Sequence, residues 1–149
     1  MIYIIKTNTM KDQHVYLEHA NISVNNLENT IHFFQTAFPD FIVRGGGTSN
    51  DRKWVHLGNE TSYIALNEAL EQKQHKKDYM KNGINHLGFV VPDVASLAEN
   101  LLTAGFKRDF PKQVEKFRIR DYFVDADGNE FEFVQYLSDK IEERNFYDA

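Results

Sequence analysis

The sequence predicts an α+β fold made of two tandem βαβββ modules with their helices outside the sheets. Three observations carry that reading: a repeat at an offset of 67 residues, a switch between strand-like and helix-like apolar periods inside each copy, and turn signals at matching places. Setting HANISV (19–24) on HLGFVV (86–91) puts Val24 on Val91, Leu27 on Val94, Phe34 on Leu101 and Ala37 on Ala104. The same offset carries WVHLGNETSYIALNE (54–68) onto DYFVDADGNEFEFVQ (121–135) without a gap. A chance match drifts out of phase; this one does not. The modules span about 15–68 and 84–137, separated by a linker at 69–83 and followed by a tail at 138–149.

Each element has a local reason. HANISV and HLGFVV are strands by β-branched content and alternation. NLENTIHFFQTAF sets Leu27, Ile31, Phe34 and Phe38 near helical spacing, and VASLAENLLTAG does so with Val94, Leu97 and Leu101, with Gly105 suited to a helix C-terminus. FIVRGGG reads as a strand ending in the flexible run Gly45–Gly47. RKWVHLGNETSYIALNE and RDYFVDADGNEFEFVQY read as hairpins turning at Gly58–Asn59 and Asp127–Gly128. The linker EALEQKQHKKDYMKNG is charged and partly helical, with Lys73, Lys76, Lys77 and Lys81 on a solvated face. LSDKIEERNFYDA is a C-terminal helix or tail, and Met10 is a second possible start that would leave residues 1–9 outside the fold.

Composition bounds the function. The chain has 149 residues, enough for one domain, with 42% hydrophobic residues and twelve Phe to fill a core. A net charge of −5 argues against nucleic acid or an anionic membrane as partner. The absence of cysteine excludes disulfides, zinc–thiolate sites and cysteine nucleophiles, and fits a cytoplasmic address. No apolar run reaches the roughly 20 residues that span a bilayer. The expected partner is a small molecule.

Alternation then sorts the strand residues. Ala20, Ile22 and Val24 share one face of the first strand, leaving His19, Asn21 and Ser23 on the other. The matching strand divides into Leu87, Phe89 and Val91 against His86, Gly88 and Val90. In the last strand Phe131 and Phe133 turn to the helices, and Glu130, Glu132 and Val134 turn away; their counterparts in the first copy are Tyr63, Ala65 and Asn67. Positions 19, 65, 86 and 132 are therefore equivalent in pairs, and three bear metal-binding side chains. Two imidazoles and a carboxylate suit a borderline divalent ion and leave coordination positions open, as catalysis requires. Blander readings stand beside this one: a strand histidine is often a packed or pocket residue, and Glu132 has Arg118 and Arg120 within reach as partners. His32, His14 and His75 do not repeat at the offset and read as packing or solvated residues.

EHANISV, NHLGFVV and DADGNEFEFVQ together resemble the vicinal oxygen chelate superfamily, the glyoxalase/bleomycin resistance/dioxygenase group, over roughly residues 15–137. DADGNEFE is similar to the family's D-P-x-G-N-x-x-E, with Ala126 in place of Pro. The resemblance implies modules curled into a cupped, partly open β-sheet barrel, often with two subunits sharing a site, and hence a homodimer. It implies a divalent metal (Fe, Mn, Ni, Co or Zn) on His19, His86 and Glu132. Glu132 and Tyr122 would be the catalytic residues, and Asn21, Tyr63, Asn67 and Arg120 would line the substrate pocket.

Departures narrow the activity. The fourth ligand of glyoxalase I falls on Ala65, and its glutathione-binding arginine and asparagine fall on Ser23 and Ala69, so a lactoylglutathione lyase is not expected. The fourth ligand of methylmalonyl-CoA epimerase is missing for the same reason. Three-ligand members fit better. Extradiol dioxygenases carry a tyrosine ten residues before the glutamate, where Tyr122 stands, and His56 is the nearest counterpart of their outer histidines. Fosfomycin-modifying thiol transferases share the ligand set, although PKQVEKFRIR lacks their phosphonate loop. The expectation is a metal-dependent isomerase or lyase, extradiol-type dioxygenase or thiol transferase. The alternative is a metal-free binding protein of the bleomycin-resistance type.

Overall fold

The computed structural model describes residues 15–73, 78–144 and 146, and within them the two copies fold alike. The first module runs β1 (His19–Val24), α1 (Leu27–Ala37), β2 (Ile42–Ser49), β3 (Arg52–Gly58) and β4 (Tyr63–Glu68). The second runs β5 (His86–Val90), α2 (Val94–Thr103), β6 (Lys107–Arg108), β7 (Gln113–Val114), β8 (Arg118–Val124) and β9 (Glu130–Tyr136), followed by a one-turn α3 (Ile141–Arg144). His14, Met10, His75, Lys76 and Lys77 lie outside the described residues. Among those described, no helix is long and apolar enough to cross a membrane.

Each module makes one mixed sheet, in the order β1-β4-β3-β2 and β5-β9-β8-β6, with β7 also on β8; neither sheet is closed. The first strand of each module pairs in parallel with the last, β1 with β4 and β5 with β9, and the other pairs are antiparallel. Where the repeat led us to expect one strand after α2, there are two fragments, with Pro111 between them offering no N–H to a ladder.

Turn and cap chemistry explains the boundaries. Asn26 caps α1 by accepting from the Asn29 N–H, and Asp93 caps α2 by accepting from Ala95 and Ser96. At the end of α2 the Phe106 N–H reaches the Leu101 carbonyl and the Gly105 N–H reaches Leu102, a Schellman closure with Gly105 at φ +89°. The first hairpin turns where the sequence placed it: Asn59 Oδ1 accepts from the N–H groups of Thr61 and Ser62. A Cβ at Gly58 would stand 2.2 Å from the Ser62 carbonyl, so only glycine fits there. In the second hairpin Asp125 accepts from the backbones of Asp127 and Asn129.

Two local expectations change. The Gly45–Gly47 run does not end β2; the strand continues to Ser49, with Gly45, Gly46 and Gly47 paired to His56, Val55 and Trp54. A Cβ at Gly46 would lie 2.8 Å from the Trp54 carbonyl, so the missing side chain permits close pairing here. The linker is not helical in its described part, where Asp78 instead closes a turn by accepting from the Met80 N–H.

A single core joins both modules. Phe33 and Phe34 of α1 are fully buried and meet β9 directly, with ring centroids 5.2 and 4.9 Å from Phe131. Phe34 and Phe38 also meet Phe89 of β5, at 6.0 and 5.0 Å. The apolar faces therefore pack on the helices, as alternation predicts, and the opposite faces are left open. Asn25 adds a polar tie, its backbone N–H and Nδ2 donating to Asp127 at 2.6 and 2.9 Å.

Within the second sheet, Arg108 clamps the fully buried Asp121 with bonds of 2.7 and 2.8 Å. These bonds hold the guanidinium above its usual pKa against the opposing effect of burial. Replacing Arg108 by Ala strands that carboxylate, so urea denaturation should show a loss of about 3 kcal/mol. A loss under about 1 kcal/mol would mean that water or another donor satisfies Asp121.

Candidate functional site

The open face of the second sheet carries the chemistry. Register sets His86 opposite Glu130 and Gly88 opposite Glu132, while Tyr122 of β8 lies opposite Glu132. Gly88 leaves room above the carboxylate, since a Cβ there would lie 3.6 Å from Glu132 Oε2. His86 reaches across that space, and its Nε2 stands 3.1 Å from Glu132 Oε2. The other oxygen of Glu132 accepts from the Tyr122 hydroxyl at 2.7 Å. Arg120 donates to the Tyr122 oxygen at 3.2 Å and lies 3.6 Å from Glu132. The Arg120 guanidinium is also bonded to Glu115, which binds Arg118 Nε at 2.5 Å as well. Arg120 Nε is buried without a partner among the described residues.

Behind His86 lies a second set. Its Nδ1 is 3.3 Å from Glu130 Oε1 and 3.2 Å from the Tyr79 hydroxyl, which donates to the same carboxylate oxygen at 2.5 Å. Alternation places Glu130 on this face, whereas Tyr79 falls in the linker and Glu115 in a stretch without a periodic signal. Position 130 was readable from alternation. Nothing periodic marks Tyr79, which reaches the site only because the linker folds back over β5.

His19 stands apart from this cluster. Its Nδ1 pairs with Glu18 at 2.9 Å, and its ring stacks on Tyr63 at 4.7 Å. Tyr63 in turn stacks on His56 at 4.6 Å and lies under the guanidinium of Arg44. Asn67 donates to Asn21 at 2.8 Å on the same face, and Ala65 lies buried opposite Asn21. His32 is exposed on α1 beside Phe106. A cleft of about 460 Å³ is lined by both His19 and His86, but Glu132, Tyr122 and Arg120 are not in its wall. Among the described residues, no group of three His, Asp or Glu side chains is arranged to hold a metal ion.

Two side chains of metal-ligating type nonetheless face each other, His86 and Glu132. Atoms bound to one divalent ion at about 2.1 Å and near right angles lie about 3 Å apart, the separation seen between His86 Nε2 and Glu132 Oε2. The remaining donor atoms of both side chains are held by partners, as is usual for ligating residues.

Residues 16–133 match the model of the Glyoxalase/Bleomycin resistance protein/Dioxygenase superfamily. The chain belongs to that superfamily. Among solved structures it is similar to a glyoxylase/bleomycin resistance protein/dioxygenase domain from Frankia sp. EAN1pec, at 21% identity over 90% of this chain and 100% of that one, with a TM-score of 0.72. It is also similar to the fosfomycin resistance protein FosX of Listeria monocytogenes, solved with Mn(II) and a dihydroxypropylphosphonic acid, at 19% identity over 90% and 100% of the chains and a TM-score of 0.68. The trypanothione-dependent glyoxalase I of Leishmania major matches at 20% identity over 82% and 87%, with a TM-score of 0.66. These likenesses establish the superfamily fold of paired βαβββ modules. The superfamily contains metal enzymes and non-enzymes, so activity has to be argued from the site.

Burial, and then the bond to Glu132 and its charge, push the Tyr122 hydroxyl up to about 12, with Arg120 opposing. Tyr122 therefore stays protonated as a donor to Glu132 at physiological pH. A raised folded-state pKa adds stability that is complete below the unfolded value of 10.0 and is lost as pH climbs toward about 12. Tyr122→Phe should flatten that alkaline limb in denaturation curves at successive pH values; an unchanged limb would place its cause elsewhere.

Proposed function

We propose that this superfamily member is a divalent-metal-dependent enzyme acting on a small substrate that presents adjacent oxygens and an anionic group. His86, Glu132 and His19 are the ligands. The observation that supports this best is the approach of His86 Nε2 to Glu132 Oε2 with both side chains braced from behind. The manganese in the related FosX structure makes Mn(II) the first metal to test, with Fe, Ni, Co and Zn next. A divalent ion held there supplies Lewis-acid stabilisation of charge developing on a substrate oxygen.

The chain's own residues do the rest. Tyr122 pins one oxygen of Glu132 and so aims the other at His86. Arg120 offers its guanidinium to an anionic substrate group, and Glu115 occupies that guanidinium beforehand. Glu132, bonded to a phenol on one side, is placed to move a proton at the reacting atom. Tyr63, Asn21 and Asn67 form a polar wall on the other sheet. Ser23, Ala65 and Ala69 keep lactoylglutathione lyase outside the proposal.

His19 joins the set from a second copy of the chain. Its side chain is 42% exposed, and among the described residues it forms no metal-holding group with His86 and Glu132. Leu17, Ile84 and Val90 are large apolar residues left mostly exposed near the two histidines, as a surface covered by a partner would be. A metal-free binding protein is the second reading, favoured by one observation: the two ring nitrogens of His86 already face carboxylates, Nδ1 toward Glu130 and Nε2 toward Glu132, with no third ligating side chain beside them among the described residues.

Elemental analysis of the purified chain should find about one divalent metal per subunit, lost in His86→Ala. Full occupancy in that variant would sink the ligand assignment, and no uptake of any of the five metals would favour the binding protein. Mixing His19→Ala with His86→Ala chains should restore about one metal site per mixed dimer if the site is shared, and none if each chain completes its own.

A further inference from the structure

We infer that Glu130 and Tyr79 form a positioning pair that fixes the ring tautomer of His86. The inference rests on the reading of His86 as a ligand, but its geometry is independent of any metal.

The Glu130 side chain is wholly buried, and a carboxylate removed from water needs donors. Tyr79 supplies one, its hydroxyl donating to Glu130 Oε1 at 2.5 Å. A phenol has a single proton, so with that proton committed its oxygen can only accept from His86 Nδ1, 3.2 Å away. Glu130 Oε1, 3.3 Å from Nδ1, is an acceptor too. Both groups facing Nδ1 therefore demand a hydrogen on that nitrogen. A neutral imidazole has only one N–H, so Nε2 is left with its lone pair, 3.1 Å from Glu132 Oε2. Two acceptors 3.1 Å apart favour a cation between them, whether a proton or a metal ion. The pair thus sets His86 as a metal ligand before any metal arrives. It also makes the linker between the modules part of the site, through Tyr79.

The test reads the tautomer directly. Long-range nitrogen–proton NMR spectra of the His86 ring in the metal-free chain, taken as pH is raised until the ring is neutral, should show the Nδ1–H form. In Glu130→Leu, similar in size, the buried acceptor facing Nδ1 is gone, and Glu132 facing Nε2 remains. The ring proton should then move to Nε2, and Mn(II) affinity by calorimetry should fall about 10- to 100-fold. Tyr79→Phe, which removes one hydroxyl from an exposed residue, should keep the Nδ1–H form through Glu130 and lose less than about 10-fold in affinity. An Nε2–H tautomer in the wild-type chain would overturn the inference without any variant. So would Glu130→Leu keeping both the Nδ1–H form and wild-type Mn(II) affinity, which is the result of a merely structural role. If the wild-type chain takes up no Mn(II) but shows the tautomer and its reversal, the positioning pair stands and the metal reading fails.

Discussion

The parallel pairing of the first strand of each module with its last is the constraint on which the rest depends. It brings residues more than forty positions apart in the chain into adjacent register, His86 beside Glu130 and Gly88 beside Glu132. Antiparallel hairpins cannot do this, because they join neighbours in sequence. The intervening helix makes the crossover possible, and its apolar face covers one side of the sheet. Most polar strand residues are thereby driven to the other side; Asp121, paired in register with Phe133, stays on the covered side and is held by Arg108. In the second module that side carries His86, Glu130, Glu132, Tyr122 and Arg120 within a few ångströms of one another.

Such a cluster is costly to assemble. Glu130 is buried and Glu132 nearly so, and like charges in a site of low polarity repel strongly. The chain offsets this in layers. Tyr79 and His86 face Glu130, Tyr122 and Arg120 face Glu132, and Glu115 faces Arg118 and Arg120. The layers lock the carboxylates in place while leaving the space over Gly88 open. The first module has the same scaffold without the charge. Ala65 stands where Glu132 stands, and His19 stacks on an aromatic ladder. Its open face presents stacked rings and paired amides, whereas that of the second module is where charge collects.

The core explains how two such unlike faces share one scaffold. Phe33, Phe34 and Phe38 reach from α1 to β5 and β9 of the other module, so neither module buries its apolar face alone. The Asn25–Asp127 contact fixes their relative position from the polar side. Side chains on the open faces lie outside this shared apolar core, which is where Ala65 stands in place of a carboxylate.

What the sequence by itself determined is local and periodic. Alternation sorted Glu130 and Glu132 from Phe131 and Phe133, helical spacing found α1 and α2, and the turn residues Asn59 and Gly128 marked both hairpins. The 67-residue repeat paired position 19 with 86, because identical scaffolds impose identical rhythms of burial. Contacts that depend on register and reach were decided only in three dimensions. Nothing in the linker announces that Tyr79 bonds Glu130, and nothing in RIRDY tells which arginine faces Glu132. Even the glycine run misled, because its conformational freedom is a property of the chain while its use in pairing with Trp54 is a property of the sheet. The separation of His19 from His86 and Glu132 belongs to the same class, since it depends on how two whole sheets are set against one core.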